Sequence, residues 1–244
     1  MRIGIVGTGA IGATLARRLG ARGHDVTVAN SRGPHTVPAD ALASGARAAT
    51  AAEAVRDRDA IILSVPFTRL PALADLLSST PEEIVVIDTS NYYPHLNGTV
   101  EAVDNGQVES LWAAERLGRP VVKAWNAALA ATLRTKGAPA GTPGRIAIPV
   151  AADSDESRRL AMRLVDDTGF DPYDAGALAD SWRQQPMGPA YCTELTLTEL
   201  APALAAADRH KGIRVRDSLP DRLAALGDTF THEDVVEMNR AAHR

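Results

Sequence analysis

Gly7-x-Gly9-x-x-Gly12 lies between a short apolar run (Ile3, Ile5, Val6) and a helical pattern that puts Leu15, Ala16 and Leu19 on one face. In a strand–turn–helix, the first glycine makes the tight turn out of the strand and the second lets backbone approach a pyrophosphate. The third lets the helix lie close on the strand, so that its N-terminal amides and positive dipole end face phosphates. Gly20 and Gly23 end the helix and Val26-Thr27-Val28 opens a second strand. The triplet therefore belongs to a βαβ unit and reads as a dinucleotide loop, not as an ordinary glycine-rich turn.

The end of the second strand selects between dinucleotides. A carboxylate there would accept a hydrogen bond from the ribose 2′-OH of NAD. This sequence has Asn30-Ser31-Arg32 instead. An amide, a hydroxyl and a guanidinium suit a 2′-phosphate, which a carboxylate would repel. The expected cofactor is NADP(H); the alternative is that Arg32 is a solvated loop arginine and the site is indifferent.

Ligands in an open parallel sheet lie beyond the carboxyl ends of the strands. Ala60 to Val65 and Ile84 to Ile87 read as buried strands, as does Val121 to Trp125. Their ends place Ser64, Val65, Pro66 and Phe67, then Thr89, Ser90 and Asn91, then Lys123 to Ala127 at the cleft. Taken singly, Pro66 could serve only to stop a strand and Asn91 only to cap a turn. Lys123, with Asn126 three residues on, is the one candidate proton donor; the alternative is a strand-end lysine paired with a surface carboxylate. Tyr92, Tyr93 and Trp125 could wall a flat ring, or could be core aromatics.

The elements that hold these residues alternate strand and helix through Val150, which implies a Rossmann-type, doubly wound, mostly parallel sheet. Helices are expected near residues 38–45, 48–55, 68–77 and 110–117, with a strand over 146–150. Beyond it the texture becomes that of a small, mainly helical C-terminal region, giving a dinucleotide-binding domain over 1–150 and a second unit over 151–244. That unit should hold a helix to Val165 and a short strand and turn near 169–176. A helical stretch near 178–183 should follow, then a long helix from Pro189 towards Arg209 and two short helices after Gly212. Ser218 can cap the first of the two, and Thr231 with Asp234 forms a capping box for the second.

The chain has 244 residues, 45% of them hydrophobic, enough for a proper core. A net charge of −4 argues against general binding to nucleic acid or anionic membranes. Cys192 is the only cysteine, which fits a reducing cytoplasm, and a first strand at residue 3 leaves no room for a signal peptide. Cys192 is expected in a helix, as a buried small apolar residue. Six scattered histidines make a metal site unexpected, and no G-x-S-x-G or Cys/His pattern points to acyl transfer.

G-T-G-A-I-G, N-S-R, S-V-P-F, D-T-S-N-Y-Y-P, V-V-K-A-W-N and D-A-G-A-L-A-D-S-W together resemble the NADP oxidoreductases of the coenzyme F-420-dependent type, over residues 1 to about 207. The resemblance implies a Rossmann domain with a small C-terminal domain, a homodimer, and hydride passage between NADPH and a deazaflavin; related reductase domains use a flavin. It also implies that Thr8, Gly9, Ala10 and Ile11 contact phosphate and that Ser31 and Arg32 hold the 2′-phosphate. Val65, Pro66 and Phe67 would run along the nicotinamide ribose, with Ala124 to Ala127 opening towards the second substrate, where Trp125, Asn126 and Ala127 would meet it. Asn-Tyr-Tyr-Pro and Lys-Ala-Trp-Asn are shared mainly with bacterial relatives of unassigned substrate, and the tail from about Lys211 is unlike the compact deazaflavin reductases. Three functions stay open: transfer to a flavin-like or deazaflavin acceptor, reduction of a small imine or carbonyl with Lys123 as acid, and an NADP(H)-sensing module without turnover.

Overall fold

A computed structural model describes all of residues 1–244. β1 (Arg2–Val6), α1 (Ala10–Ala21) and β2 (Asp25–Ala29) form the opening βαβ unit. They are followed by α2 (Ala39–Leu42), β3 (Arg47–Ala48), α3 (Ala51–Val55) and β4 (Ala60–Leu63). A 3₁₀ segment over Phe67–Leu73 runs into α4 (Ala74–Ser78). Next come β5 (Val85–Asp88), α5 (Pro94–Asn97), α6 (Glu101–Asp104), α7 (Glu109–Leu117) and β6 (Val122–Lys123). These strands make one parallel sheet in the order β3-β2-β1-β4-β5-β6. The order reverses between β1 and β4, where a crevice opens.

Alternation along buried strands sends side chains to two cores. Ile3, Ile5, Ile62, Val85 and Ile87 pack with Leu15 and Leu19 of α1 on one face, while Ile61, Leu63, Ile84 and Val86 meet Phe67, Trp112 and Leu117 on the other. α8 (Ala130–Thr135), β7 (Ala147–Val150), α9 (Asp155–Asp167) and β8 (Asp171–Asp174) follow. β7 does not extend the main sheet: it pairs in parallel with β8 in a sheet of its own, joined to β6 only by a Lys123–Ala151 bridge. Ala161, Leu164 and Val165 of α9 and Phe170 complete the α1 core. The apolar face of α9, from beyond residue 150, thus packs into the core that β1 and α1 share.

After a 3₁₀ segment over Leu178–Gln184 come α10 (Leu197–Ala205), α11 (Arg209–Asp217), α12 (Leu219–Ala225) and α13 (His232–Ala241). No long helix starts at Pro189. Residues 187–194 form an irregular loop with Met187, Cys192 and Glu194 at positive φ, and the helix begins only at the Thr196–Glu199 capping box, running through Pro202. Cys192 is buried as expected, but in this loop. The two short helices expected after Gly212 are α12 and α13, and α11 ahead of them starts at Arg209. Thr231 and Asp234 form the capping box read from the sequence, whereas the Ser218 hydroxyl donates back to the Val215 carbonyl and caps nothing. No helix is long and apolar enough to cross a membrane.

Candidate functional site

The glycine loop is built as its spacing requires. Gly7 has φ of 106°, and a Cβ there would stand 2.0 Å from the Ser64 carbonyl oxygen. A Cβ on Gly12 would stand 2.0 Å from the Gly7 carbonyl oxygen, so only glycine lets α1 sit this close to the turn. At Gly9 an added Cβ would meet no protein atom within 4 Å. The backbone N–H groups of Gly9, Ala10, Ile11 and Gly12 find no acceptor in the chain and face the same space at the head of the twelve-residue α1. Open space over unpartnered amides at a helix N-terminus fits a diphosphate.

Asn30, at the end of β2, ties the neighbouring loop to this one. Its amide donates to Thr8 Oγ1 (3.2 Å), while its carbonyl oxygen accepts from Arg32 N (2.9 Å) and Thr36 Oγ1 (2.9 Å). Asn30 thus positions the turn that presents Ser31 and Arg32, both exposed. The Arg32 guanidinium has no ion pair within the chain and sits beside the crevice, as a 2′-phosphate ligand would have to.

Other expected site residues lie elsewhere. Val65 is half-buried and Pro66 exposed at the end of β4, but Phe67 is fully buried, its ring 4.5 Å from that of Trp112. Trp125 is core: 1% exposed, its indole N–H donates to Thr168 Oγ1 (3.1 Å). Tyr92 is also core, and of the three aromatics only Tyr93 is partly open. Asn91 and Asn126 tie two strand ends together. Asn91 Nδ2 donates to the Asn126 carbonyl (2.9 Å) and to Tyr191 Oη (3.1 Å), while Asn126 Nδ2 donates to Asn91 Oδ1 (3.1 Å) and to the Gln184 carbonyl (2.8 Å). Ala127 is buried, its carbonyl accepting from Cys192 N (2.9 Å). Trp125, Asn126 and Ala127 are therefore buried and bonded within the chain, and none of the three offers a free side chain at the cleft.

Lys123 is the largest departure from expectation. Its side chain is wholly buried, donating to Asp88 Oδ2 (2.7 Å) and the Ser90 carbonyl (2.5 Å). The paired carboxylate is as buried as the lysine and is no surface group. Asp88 Oδ1 accepts from Ser90 N (2.9 Å), so the ion pair shapes the turn after β5. Buried, and with both partners inside the chain, the Lys123 ammonium is not presented to the crevice. Ser90 itself is 6% exposed, its hydroxyl buried without a partner.

Glu109, one residue ahead of the helix expected over 110–117 and without a sequence signal, is the first residue of α7 and lies nearby, fully buried. It accepts from Tyr92 N (3.1 Å) and Gln185 Nε2 (3.0 Å). Burial pushes its carboxyl up to about 7, with the Lys123 ammonium pulling the other way. A raised carboxyl contributes stability below its unfolded value and loses it as pH climbs through 7. The fold should therefore weaken from pH 5 to pH 8 by up to about 3 kcal/mol on this group's account. Urea unfolding at both pH values checks this: Glu109→Gln should flatten the pH dependence, and an unchanged slope would reject the assignment.

Residues 2–92 match the family model described as NADP oxidoreductase, coenzyme F420-dependent. The Escherichia coli K12 protein YjhV is 41% identical over 103 residues, 42% of this chain and 75% of that protein. The solved structure of hypothetical protein SMa0349 from Sinorhizobium meliloti is similar with a TM-score of 0.69 at 27% identity, over 80% of this chain and 95% of that one. That of an Arthrobacter sp. FB24 protein assigned as an F420-dependent NADP-reductase shares the fold, with a TM-score of 0.60 at 18% identity, over 93% and 94% of the two chains. With its amide-lined crevice and reversing parallel sheet, the chain belongs to the family of coenzyme F420-dependent NADP oxidoreductases.

Proposed function

We propose that this NADP-dependent oxidoreductase moves hydride between NADPH and a flat, flavin-like or deazaflavin acceptor lying beyond the ends of β5 and β6. The observation that carries the reading is the burial of Lys123 between Asp88 and Ser90. With that ammonium engaged and Asn91 and Asn126 bonded to each other, the strand ends offer rigid framing and no free side-chain acid. Ring-to-ring hydride transfer asks for that framing: close approach, fixed orientation and exclusion of water. Reduction of an imine or carbonyl asks for a proton donor as well, which favours the flavin-like class.

When bound, NADPH supplies the hydride. The residues that would hold it are the amides of Gly9 to Gly12 at the diphosphate, Ser31 and Arg32 at the 2′-phosphate, and Val65 and Pro66 beside the nicotinamide end. Ser90, whose buried hydroxyl has no partner, follows the end of β5, the strand next to β4. Gly7 and Asn30 shape the two loops.

The test is NADPH oxidation followed at 340 nm with a deazaflavin, flavins, and a panel of small imines and carbonyls. Turnover with the deazaflavin or a flavin alone supports the reading; turnover confined to imines or carbonyls overturns it, and NADPH binding without any oxidation favours the sensing module. In the same assay Arg32→Ala should weaken NADPH about 10- to 100-fold, the loss of one charge-assisted contact, and NADH hardly at all. Equal loss for both nucleotides would reject the 2′-phosphate assignment.

A further inference from the structure

The loop between the last 3₁₀ segment and α10 holds three of the chain's five non-glycine residues at positive φ: Met187 at 63°, Cys192 at 54° and Glu194 at 52°. Such conformations persist only where their surroundings over-determine them, and they gather at functional sites. Here the surroundings are the C-terminal tail. The His243 ring donates to the Met187 carbonyl (2.9 Å), Asn239 Nδ2 to that of Cys192 (3.3 Å), and Arg240 to those of Thr193 (2.8 Å) and Glu194 (3.2 Å). The Glu194 carboxylate is clamped by His232 Nε2 (2.6 Å) from the tail and by Lys136 Nζ (2.9 Å) from the end of α8. Met187, Tyr191 and Cys192 pack with Ala127, Leu219 and Met238 beneath this clasp.

What the loop delivers is Tyr191. Its hydroxyl accepts from Tyr93 Oη (2.8 Å) and from Asn91 Nδ2 (3.1 Å), and Asn91 is the residue that joins the ends of β5 and β6. One continuous set of bonds thus runs from α13, through the strained loop, to the strand ends facing the crevice.

We propose that the C-terminal tail is a brace for the acceptor side of the cleft, and that Arg240 and Tyr191 are positioning residues which act through Asn91 on the geometry of hydride transfer. This rests on the reading that the acceptor lies beyond β5 and β6. No hydrogen bond or ion pair joins the tail to the glycine loop or Arg32, so the brace serves the acceptor and not the dinucleotide.

Cys192, the chain's only cysteine, reports on the loop directly. It is 2% exposed, and burial pushes its thiol up to about 12, so the intact protein should react slowly with 5,5′-dithiobis(2-nitrobenzoate). Arg240→Ala should speed that reaction roughly tenfold or more at a temperature where circular dichroism shows the chain folded, by raising the population of the open loop. His232→Ala, which cuts the clasp at its other end, should do likewise, and Arg240→Lys, which keeps the charge but not the two-carbonyl fork, should fall between parent and Arg240→Ala. Tyr191→Phe, which keeps the packing and removes only the hydroxyl, should lower kcat with the deazaflavin about tenfold while NADPH affinity stays within about twofold. Labelling of Arg240→Ala and His232→Ala at the parent rate, or rising only in step with global unfolding, would overturn the brace. Parental kcat and KM in Tyr191→Phe would overturn the positioning role. Should the parent oxidise NADPH with no acceptor, the functional reading has failed on its own, and the labelling rates still decide whether the tail braces the loop.

Discussion

Lys123→Met should cost about 3–5 kcal/mol of stability, because it leaves the Asp88 carboxylate wholly buried without its counter-charge. Native domains hold only about 5–15 kcal/mol in total, so this one change should bring the chain close to unfolding at 37 °C. The methylene stem is nearly conserved by methionine, which isolates the charge from the packing. The double variant Lys123→Met/Asp88→Asn removes both charges and keeps an oxygen for the Ser90 amide, and it should recover most of the loss. Urea unfolding of the parent, both singles and the double gives the coupling directly. A Lys123→Met protein as stable as the parent but without turnover would restore Lys123 to the chemistry and undo the argument from burial.

Gly9→Ala should separate the cofactor cradle from the fold. The added methyl meets no protein atom within 4 Å, so thermal unfolding should hardly move. At the N-cap of α1, beside amides without acceptors, it would keep a phosphate at arm's length. Losing one charge-assisted bond there is worth about 1.5–3 kcal/mol, so NADPH affinity should fall about 10- to 100-fold, read by quenching of the protein's fluorescence or by calorimetry. Gly12→Ala is the contrasting case: its Cβ would collide with the Gly7 carbonyl, so binding and stability should fall together. Undiminished affinity in Gly9→Ala would mean that the diphosphate does not lie against this loop.

The sequence by itself determined the parts whose physics is local. A βαβ unit with three spaced glycines has few other solutions. Fully apolar four-residue strands must be buried on both faces. Thr231 and Asp234 likewise make their cap across three residues of chain.

Tertiary structure decided whatever depends on partners far away in sequence. Lys123 meets Asp88 across 35 residues, and Trp125 finds Thr168 across 43. Polar or aromatic residues at a strand end read alike whether they face a ligand or turn into the core, and only packing sends Phe67 and Trp125 inward. The break after Pro189 was equally hidden, because the helix expected there is overridden by bonds from α13, about fifty residues later, that hold Cys192 and Glu194 in left-handed conformations. Propensity and periodicity register what a residue prefers among its immediate neighbours; burial and long-range hydrogen bonds outweigh those preferences, and they exist only once the chain has closed on itself.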